Sequence, residues 1–119
     1  MSSPKPTEIN FHKVSRVLEL AFSDGSRFQL PAEYLRVYSP SAEVQGHGPG
    51  QEVLQIGKED VNISQLEPVG HYAIKLAFDD NHDTGIYSWQ LLYKLGRDKD
   101  RIWQGYLDAM AEHGLSRDP

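Results

Sequence analysis

The residues best suited to chemistry lie in one acidic segment, residues 78–89, which reads F-D-D-N-H-D-T-G-I-Y-S-W. Its histidine is His82, and its acids are Asp79, Asp80 and Asp83. A histidine surrounded by carboxylates could belong to a metal site or to a site that senses anions. The competing interpretation is a turn histidine whose ring nitrogens bond to nearby backbone or carboxylate groups. We favour that interpretation, because a lone histidine without fixed partners is seldom a ligand.

The alternating oxygen groups of this segment also suggest a calcium loop, since Asp79, Asn81 and Asp83 occupy every second position. An EF-hand loop requires a glycine where this chain has Thr84. It also requires a glutamate at its twelfth position, where this chain has Gln90. The pattern therefore favours an acidic turn at a hairpin tip over a calcium site.

Three enzyme classes can be tested against the sequence. An iron-dependent dioxygenase needs two histidines and a carboxylate, typically beginning with H-x-D, whereas His82 is followed directly by Asp83. A serine hydrolase of the α/β type would carry G-x-S-x-G, which is absent, and Ser88 is better explained as a helix cap. A glycine-rich phosphate loop is also absent, which excludes a P-loop ATPase. We therefore expect a protein that is not an enzyme.

The composition of the chain excludes further classes of site and makes some classes of partner unexpected. The chain has 119 residues, a formal net charge of −5 and no cysteine. Without cysteine there are no disulfides, thiolate metal sites or cysteine nucleophiles. An acidic surface repels phosphate backbones and anionic lipids, so neither nucleic acid nor a membrane is an expected partner. The N-terminus lacks a signal-peptide pattern, and a cytoplasmic location is expected.

Alternating apolar residues predict a mainly antiparallel sheet of about five to seven short strands. The predicted strands are Glu8–Lys13, Arg16–Phe22, Arg27–Leu30, Val53–Ile56, Val61–Ile63 and His71–Phe78. An Asp-Gly turn within residues 23–26 joins the second and third strands into a hairpin. A further turn is predicted at residues 67–70, which contain proline and glycine.

Helical patterns follow the hairpin and close the chain. One helical turn is predicted at Pro31–Arg36, and two C-terminal helices are predicted at Trp89–Leu95 and from Asp98 to His113. Ser88 caps the first of these two helices, and Gly96 is expected to end it. A mainly antiparallel sheet with two C-terminal helices is an α+β fold.

The expected organisation is one domain over residues 7–114. A disordered leader at residues 1–6 precedes it, and a tail at residues 115–119 follows it. The longest predicted loop, Val37–Gln51, has no apolar periodicity and is rich in glycine and proline. Loops of such length tend to be functional or mobile.

The order of these features resembles a known family. The first hairpin, with its S-D-G turn, is followed by the pair Leu35-Arg36, the long loop and the acidic segment described above. Over residues 7–114 the chain resembles the small domain of unknown function 971 (DUF971). That domain is also called the gamma-butyrobetaine hydroxylase-like N-terminal domain.

The resemblance implies a particular metal site. In the hydroxylases that bear this domain, zinc is held by three cysteines of a C-P-C-x-x-C loop and by a distant histidine. The corresponding stretch here begins at Ser39-Pro40, and the three ligand positions hold Ser39, Ser41 and Val44. The histidine matches His82. Because neither a hydroxyl group nor a valine replaces a thiolate at neutral pH, we expect this chain to lack the family's zinc and to hold no cofactor.

One metal hypothesis stays open after that loss. The family brings the long loop to the histidine, so His47, in G-H-G-P-G, could approach His82. Completed by Asp79 or Asp83, such a site would make the chain a metal-binding protein linked to iron or iron–sulfur handling. A solvated loop histidine is the simpler interpretation of His47.

The leading hypothesis is a non-catalytic accessory module that binds a protein. The resemblance implies oxygenases and iron–sulfur carrier ATPases as candidate partners, because related domains are attached to both. The predicted surface combines the loop Val37–Gln51 with the acidic turn, and tyrosine is frequent at interface hot spots. The predicted contact residues are Asp79, Asp80, Asp83 and Tyr87.

Overall fold

The structure, a computed structural model, describes residues 4–41, 55, 57–112 and 114. These residues form six strands and three helices. The strands are β1 (Pro6–His12), β2 (Val17–Phe22), β3 (Arg27–Pro31), β4 (Ile63–Val69), β5 (Ala73–Phe78) and β6 (Gly85–Ser88). The helices are α1 (Ala32–Val37), α2 (Trp89–Arg97) and α3 (Lys99–Glu112).

The strands form two antiparallel sheets, one with the order β1-β2-β3 and one with the order β4-β5-β6. In the first sheet Leu18 pairs with Leu30, and in the second Ile74 pairs with Tyr87. The α+β prediction, with antiparallel strands and two C-terminal helices, is confirmed. None of the helices described is long and apolar enough to span a membrane.

The hairpin between β2 and β3 turns where the Asp-Gly pair predicts. Gly25 has a φ of +89°, a conformation that glycine adopts without steric cost. The Asp24 carboxylate accepts a hydrogen bond of 2.9 Å from the backbone N–H of Ser26. A hydrogen bond from the Tyr93 hydroxyl is the main reason that the pKa of Asp24 lies below its ordinary value. The turn is therefore tied to α2 as well as to itself.

The N-terminal boundary differs from the predicted one. Pro6 begins β1, and the backbone of Lys5 exchanges hydrogen bonds with Ser23 in the β2–β3 turn. Lys5 and Pro6, which were predicted to belong to a disordered leader, are therefore ordered against the first sheet. The signal was weak because two prolines and two serines lie within the first six residues.

The second sheet also departs from the predicted boundaries. Strand β4 continues through residues 67–69, which were predicted to turn, and the chain turns at residues 70–72 instead. Pro68 has no backbone N–H to donate to a neighbouring strand. It is tolerated because β4 pairs with only one strand, β5, among the described residues, so no hydrogen bonds to a second strand are lost. Gly70, with a φ of +54°, supplies the turn conformation. Most of the strand predicted at Val53–Ile56 lies outside the described residues.

Helix α2 begins as predicted and ends later than predicted. The Ser88 hydroxyl accepts a 3.1 Å hydrogen bond from the N–H of Leu91, which confirms the cap. Gly96 lies inside the helix and does not end it. Its lack of a side chain has a packing purpose, because a Cβ at Gly96 would lie 2.3 Å from Cγ of Phe28. Close approach, and not helix termination, explains this glycine.

The core lies between the two sheets and the helices. Its largest cluster joins β2, β3, α1, β4, β5, β6 and α2 through fifteen buried apolar residues. At one end Phe22, Phe28 and Tyr93 meet edge to face, with ring centroids 5.2 to 5.8 Å apart. We call these three rings with Gly96 the aromatic junction, because they hold the β2–β3 hairpin against α2.

Candidate functional site

The candidate site lies where the end of α1 meets the turn between β5 and β6. The turn is tight: Asn81 has a φ of +72°, and the backbone N–H of Phe78 donates to the carbonyl of His82 at 2.8 Å. Polar side chains from α1, from residues 39 and 41, from Lys58 and from this turn meet here, and four of them, those of Arg36, Ser39, Ser41 and His82, are buried. We call them the polar junction: Arg36, Ser39, Ser41, Lys58, Asp80, His82 and Thr84.

Ser39 and His82 form the centre of the polar junction. The Ser39 Oγ lies 2.9 Å from Nε2 of His82, and these residues are 0% and 3% exposed. The Ser39 hydroxyl also accepts a 3.2 Å hydrogen bond from the backbone N–H of Ser41. The Ser41 hydroxyl in turn lies 2.6 Å from the hydroxyl of Thr84. Buried polar groups are therefore paired with each other across the two segments.

The second half of the junction is an ion-paired carboxylate. Oδ2 of Asp80 accepts from Nε of Arg36 at 2.9 Å and from Nζ of Lys58 at 2.8 Å. Burial favours the neutral form of Asp80 and by itself raises its pKa. Hydrogen bonds from Lys58 and Arg36 outweigh burial, and the pKa of the carboxyl lies below its ordinary value. Oδ1 of Asp80 accepts from the backbone N–H of His82 at 3.2 Å, which fixes the turn.

Close packing holds the junction against β6. A Cβ at Gly85 would lie 2.6 Å from the Ser39 Oγ and 3.0 Å from the ring of Tyr87, so only glycine fits there. Tyr87 itself is fully buried, and its hydroxyl donates to the backbone carbonyl of Leu35. Burial raises the pKa of the Tyr87 phenol, which therefore remains a neutral donor.

The predicted contact residues separate into two groups. Asp79, Asp80 and Asp83 lie in the acidic turn as expected, and Asp79 and Asp83 are exposed. Asp79 is held through its backbone N–H and its Oδ1, both of which bond to the backbone of Asn62. Tyr87 does not lie on the surface, so its assignment as a contact residue is wrong. It faces the core because β6 is one strand of a packed sheet, and its neighbour Ile86 takes the outward position, 45% exposed.

The positions that resemble the family's ligands come together only in part. Ser39, Ser41 and His82 are adjacent, as the resemblance implies, whereas Val44 and His47 lie outside the described residues. Within the described ranges no group of three or more histidine, cysteine, aspartate or glutamate side chains could hold a metal ion. The metal hypothesis for His82 and His47 therefore stays a prediction.

The Ser39–His82 pair has the spacing of a nucleophile and its base. The remaining features of such a site do not match. Asp80 bonds to the backbone of His82, and Ser39 has no exposed surface. The pair is arranged to close a buried contact between two segments.

Sequence reasoning missed Arg36, which is 7% exposed and whose guanidinium fixes the acidic turn. Its Nη1 is buried and has no hydrogen-bond partner in the structure described. A charged residue inside a short apolar helix was the available signal. Its partner Asp80 could not be identified without the tertiary structure.

Comparison with known proteins gives the family. The model of the family described as "Gamma-butyrobetaine hydroxylase-like, N-terminal" matches residues 9–93. No curated protein matches the chain. Two solution NMR structures are similar to it. One is 49% identical with a TM-score of 0.84 and covers 99% of this chain and 93% of its own. The other is 48% identical with a TM-score of 0.83 and covers 99% of this chain and 88% of its own.

A crystal structure from Acidithiobacillus ferrooxidans ATCC 23270 is also similar, with 39% identity and a TM-score of 0.67. The alignment covers 80% of this chain and 98% of that one, which is described as a protein of unknown function of the DUF971 family. The family match spans more than half of the chain, and the sequence resemblance is confirmed. The chain belongs to the gamma-butyrobetaine hydroxylase-like N-terminal family, also known as DUF971.

Proposed function

We propose that the chain is a non-catalytic accessory module that binds a protein partner through the acidic turn, Asp79–Asp83. The observation that carries this proposal is the contrast between the two sides of the turn. Its inner side is fixed by Arg36, Lys58 and Ser39, while Asp79 and Asp83 are exposed on its outer side. A surface that is already ordered loses little conformational entropy on binding.

The charge of the turn indicates the chemistry of the partner. Asp83 makes no hydrogen bond or ion pair with the described residues, and its carboxylate is exposed. A partner segment rich in lysine or arginine would complement it, and the net charge of −5 would steer such a segment toward the protein. Asp80 contributes differently, because its carboxylate is already bonded to Arg36 and Lys58.

An accessory role also suits the chemistry of the junction. The buried hydroxyl and imidazole groups bond to one another, and Ser39 presents no accessible surface to a substrate. Such groups stabilise a fold and position its surface. The candidate partners are an oxygenase and an iron–sulfur carrier ATPase, which the family resemblance suggests.

The test uses two charge reversals of equal size. Asp83→Lys changes the acidic turn, and Asp108→Lys changes an exposed residue of α3, so both raise the net charge by the same amount. We would measure binding of the wild type and of both variants to purified candidates from the same genome, by calorimetry at low and at moderate salt. Circular dichroism and thermal unfolding would verify that each variant is folded.

The expected result is that Asp83→Lys weakens binding about tenfold or more, while Asp108→Lys retains it within about twofold. Neither result depends on Asp80, whose substitution would disturb the polar junction. Equal binding by all three proteins would place the interface elsewhere. Absence of binding to an oxygenase and to an iron–sulfur carrier ATPase would reject those partners.

The competing proposal is a metal-binding protein that uses His82 with His47 and nearby aspartates. The observation in its favour is that the side chains of Ser39, Ser41 and His82 lie together. The family resemblance implies that relatives carry metal ligands at these three positions. We expect the accessory module to keep its melting temperature after dialysis against a chelator. A fall of several degrees, reversed by zinc or iron(II), would favour the metal-binding alternative.

A further inference from the structure

The turn between β2 and β3 contains the peptide bond of this chain that is most open to rearrangement. Of the ten glycines in the sequence, Gly25 alone follows an aspartate or an asparagine. Because glycine has no side chain to shield its backbone nitrogen, an aspartate cyclises onto a following glycine more readily than onto other residues. Asp24 and Gly25 are both exposed to solvent. The Asp24–Gly25 bond is therefore a candidate site of covalent modification.

The rearrangement would change the backbone itself. The nitrogen of Gly25 attacks Cγ of the neutral Asp24 carboxyl group; the N–Cγ bond forms, the Cγ–OH bond breaks, and the hydroxyl leaves with the amide hydrogen as water. Water then opens the resulting succinimide. Attack at Cγ restores aspartate, whereas attack at the α-carbonyl leaves Gly25 joined through the side chain, as isoaspartate. The product adds one methylene to the backbone of a turn whose flanking residues, Ala21 and Arg27, are paired in register.

The fold holds both reacting groups. Oδ1 of Asp24 accepts a hydrogen bond of 2.9 Å from the backbone N–H of Ser26, and Oδ2 accepts one of 2.7 Å from the hydroxyl of Tyr93. The backbone N–H of Gly25 donates to the carbonyl of Phe22 at 3.0 Å. Ring closure requires Cγ of Asp24 to turn toward that nitrogen and the carboxyl group to become neutral. Both changes act against these bonds.

Tyr93 supplies the bond that comes from a different element, α2. Its ring meets those of Phe22 and Phe28 edge to face, and this packing fixes the position of its hydroxyl. The hydrogen bond from Tyr93 is the main cause that lowers the pKa of Asp24, so fewer carboxyl groups are in the neutral form. We propose that the Tyr93 hydroxyl protects the Asp24–Gly25 bond from conversion to isoaspartate. The contact between α2 and the hairpin then controls a covalent change in the turn.

The experiment compares the rate at which isoaspartate forms at residue 24 during incubation at neutral pH and physiological temperature. The samples are the folded wild type, the wild type unfolded in guanidinium chloride, and two variants. Tyr93→Phe removes the hydroxyl and keeps the ring. Ser88→Ala is the control, because it removes the cap of α2 and weakens that helix without touching Asp24.

Mass spectrometry of the proteolytic peptide that contains residue 24, with electron-transfer fragmentation, distinguishes isoaspartate from aspartate. Circular dichroism verifies that both variants are folded. Tyr93→Phe should accumulate isoaspartate about three- to tenfold faster than the folded wild type, because one hydrogen bond to the carboxylate is lost. Ser88→Ala should accumulate it at the rate of the folded wild type. The unfolded wild type should be faster than the folded proteins.

Equal rates for Tyr93→Phe and the folded wild type would overturn the proposal. A rate for Ser88→Ala as high as that for Tyr93→Phe would also overturn it, since the protection would then come from the general stability of α2 and not from the hydroxyl. If Tyr93→Phe does not fold, the two wild-type samples still provide a test, because equal rates in the folded and the unfolded chain would show that the turn is not protected.

Discussion

Two junctions hold distant parts of this chain together by different physical means. The aromatic junction fastens the β2–β3 hairpin to α2 through three rings that meet edge to face around Gly96. The polar junction fastens the end of α1 to the β5–β6 turn through hydrogen bonds and ion pairs. Both junctions contain buried side chains, but the physical source of their stability differs.

The aromatic junction gains stability from the area removed from water and from close packing, so its loss scales with the atoms removed. The polar junction gains little net energy from each hydrogen bond, because water offers the same bonds to the unfolded chain. Removing one partner is nevertheless costly, since the other partner stays buried and unpaired. The first junction serves stability, whereas the second fixes the orientation of an exposed acidic turn.

The largest effect is expected in the aromatic junction. Phe22→Ala should lower the free energy of unfolding by about 3–5 kcal/mol, because it removes a ring that is 2% exposed and contacts Phe28 and Tyr93. Urea unfolding monitored by circular dichroism measures this. Val14→Ala, at a residue that is 99% exposed, is the control and should change stability by less than about 0.5 kcal/mol. A loss below about 1 kcal/mol for Phe22→Ala would show that the rings do not hold the hairpin to α2.

Gly96→Ala tests the closeness of packing in the same junction. The new methyl group would overlap the ring of Phe28, so we expect a loss of about 2 kcal/mol although alanine favours helices. The matched control is Gly105→Ala in α3, where a Cβ meets no atom within 4 Å, and it should gain up to about 1 kcal/mol. Thermal unfolding measures the stability of both variants. A change of stability in the same direction for Gly96→Ala and Gly105→Ala would contradict the account.

Ser39→Ala tests the polar junction. It leaves the His82 imidazole and the Ser41 N–H without the Ser39 hydroxyl, and we expect a loss of about 1–2 kcal/mol by chemical unfolding. Ser64→Ala removes an exposed hydroxyl that bonds to the carbonyl of Ala77, and it should cost less than about 0.5 kcal/mol. Equal losses of stability for the two variants would show that the Ser39–His82 contact contributes no more to stability than an exposed hydrogen bond does.

Asp80→Asn should have the smallest effect, and that effect should depend on pH. Because the folded-state pKa of Asp80 is lowered, its contribution is present above the unfolded-state pKa and is lost as pH falls through the folded-state pKa. At neutral pH the free energy of unfolding of the wild type should exceed that of the variant by about 1 kcal/mol. The difference is no larger because the carboxylate is partly exposed and screened by solvent. The difference should shrink in acid below pH 4. A difference that grows in acid would reverse the assigned sign.

Features set by residues close in sequence could be predicted better than features set by contacts between distant segments. The Ser88 cap and the Asp-Gly turn follow from bonds between residues close in sequence, and both are found. Gly96 was taken for a helix end because its purpose depends on Phe28, which no local pattern reveals. The turn expected at residues 67–70 failed for a similar reason, since the outer position of β4 in its sheet admits Pro68.

The candidate site was predictable where the family resemblance supplied positions. Ser39, Ser41 and His82 were identified together in this way, and they lie together. Tyr87 was misplaced because aromatic composition alone does not distinguish a buried strand position from an exposed one. Arg36 was missed because its importance depends on the charge of a distant turn.

We propose that the polar junction is closed by bonds between the chain's own side chains and needs no metal. The most direct test follows the ring nitrogen resonances of His82 by NMR while zinc is added to one equivalent at micromolar protein. We predict that these resonances stay in place, and that Ser39→Ala alone moves them. A stoichiometric, saturable shift of the His82 ring with zinc in the wild type would contradict the account.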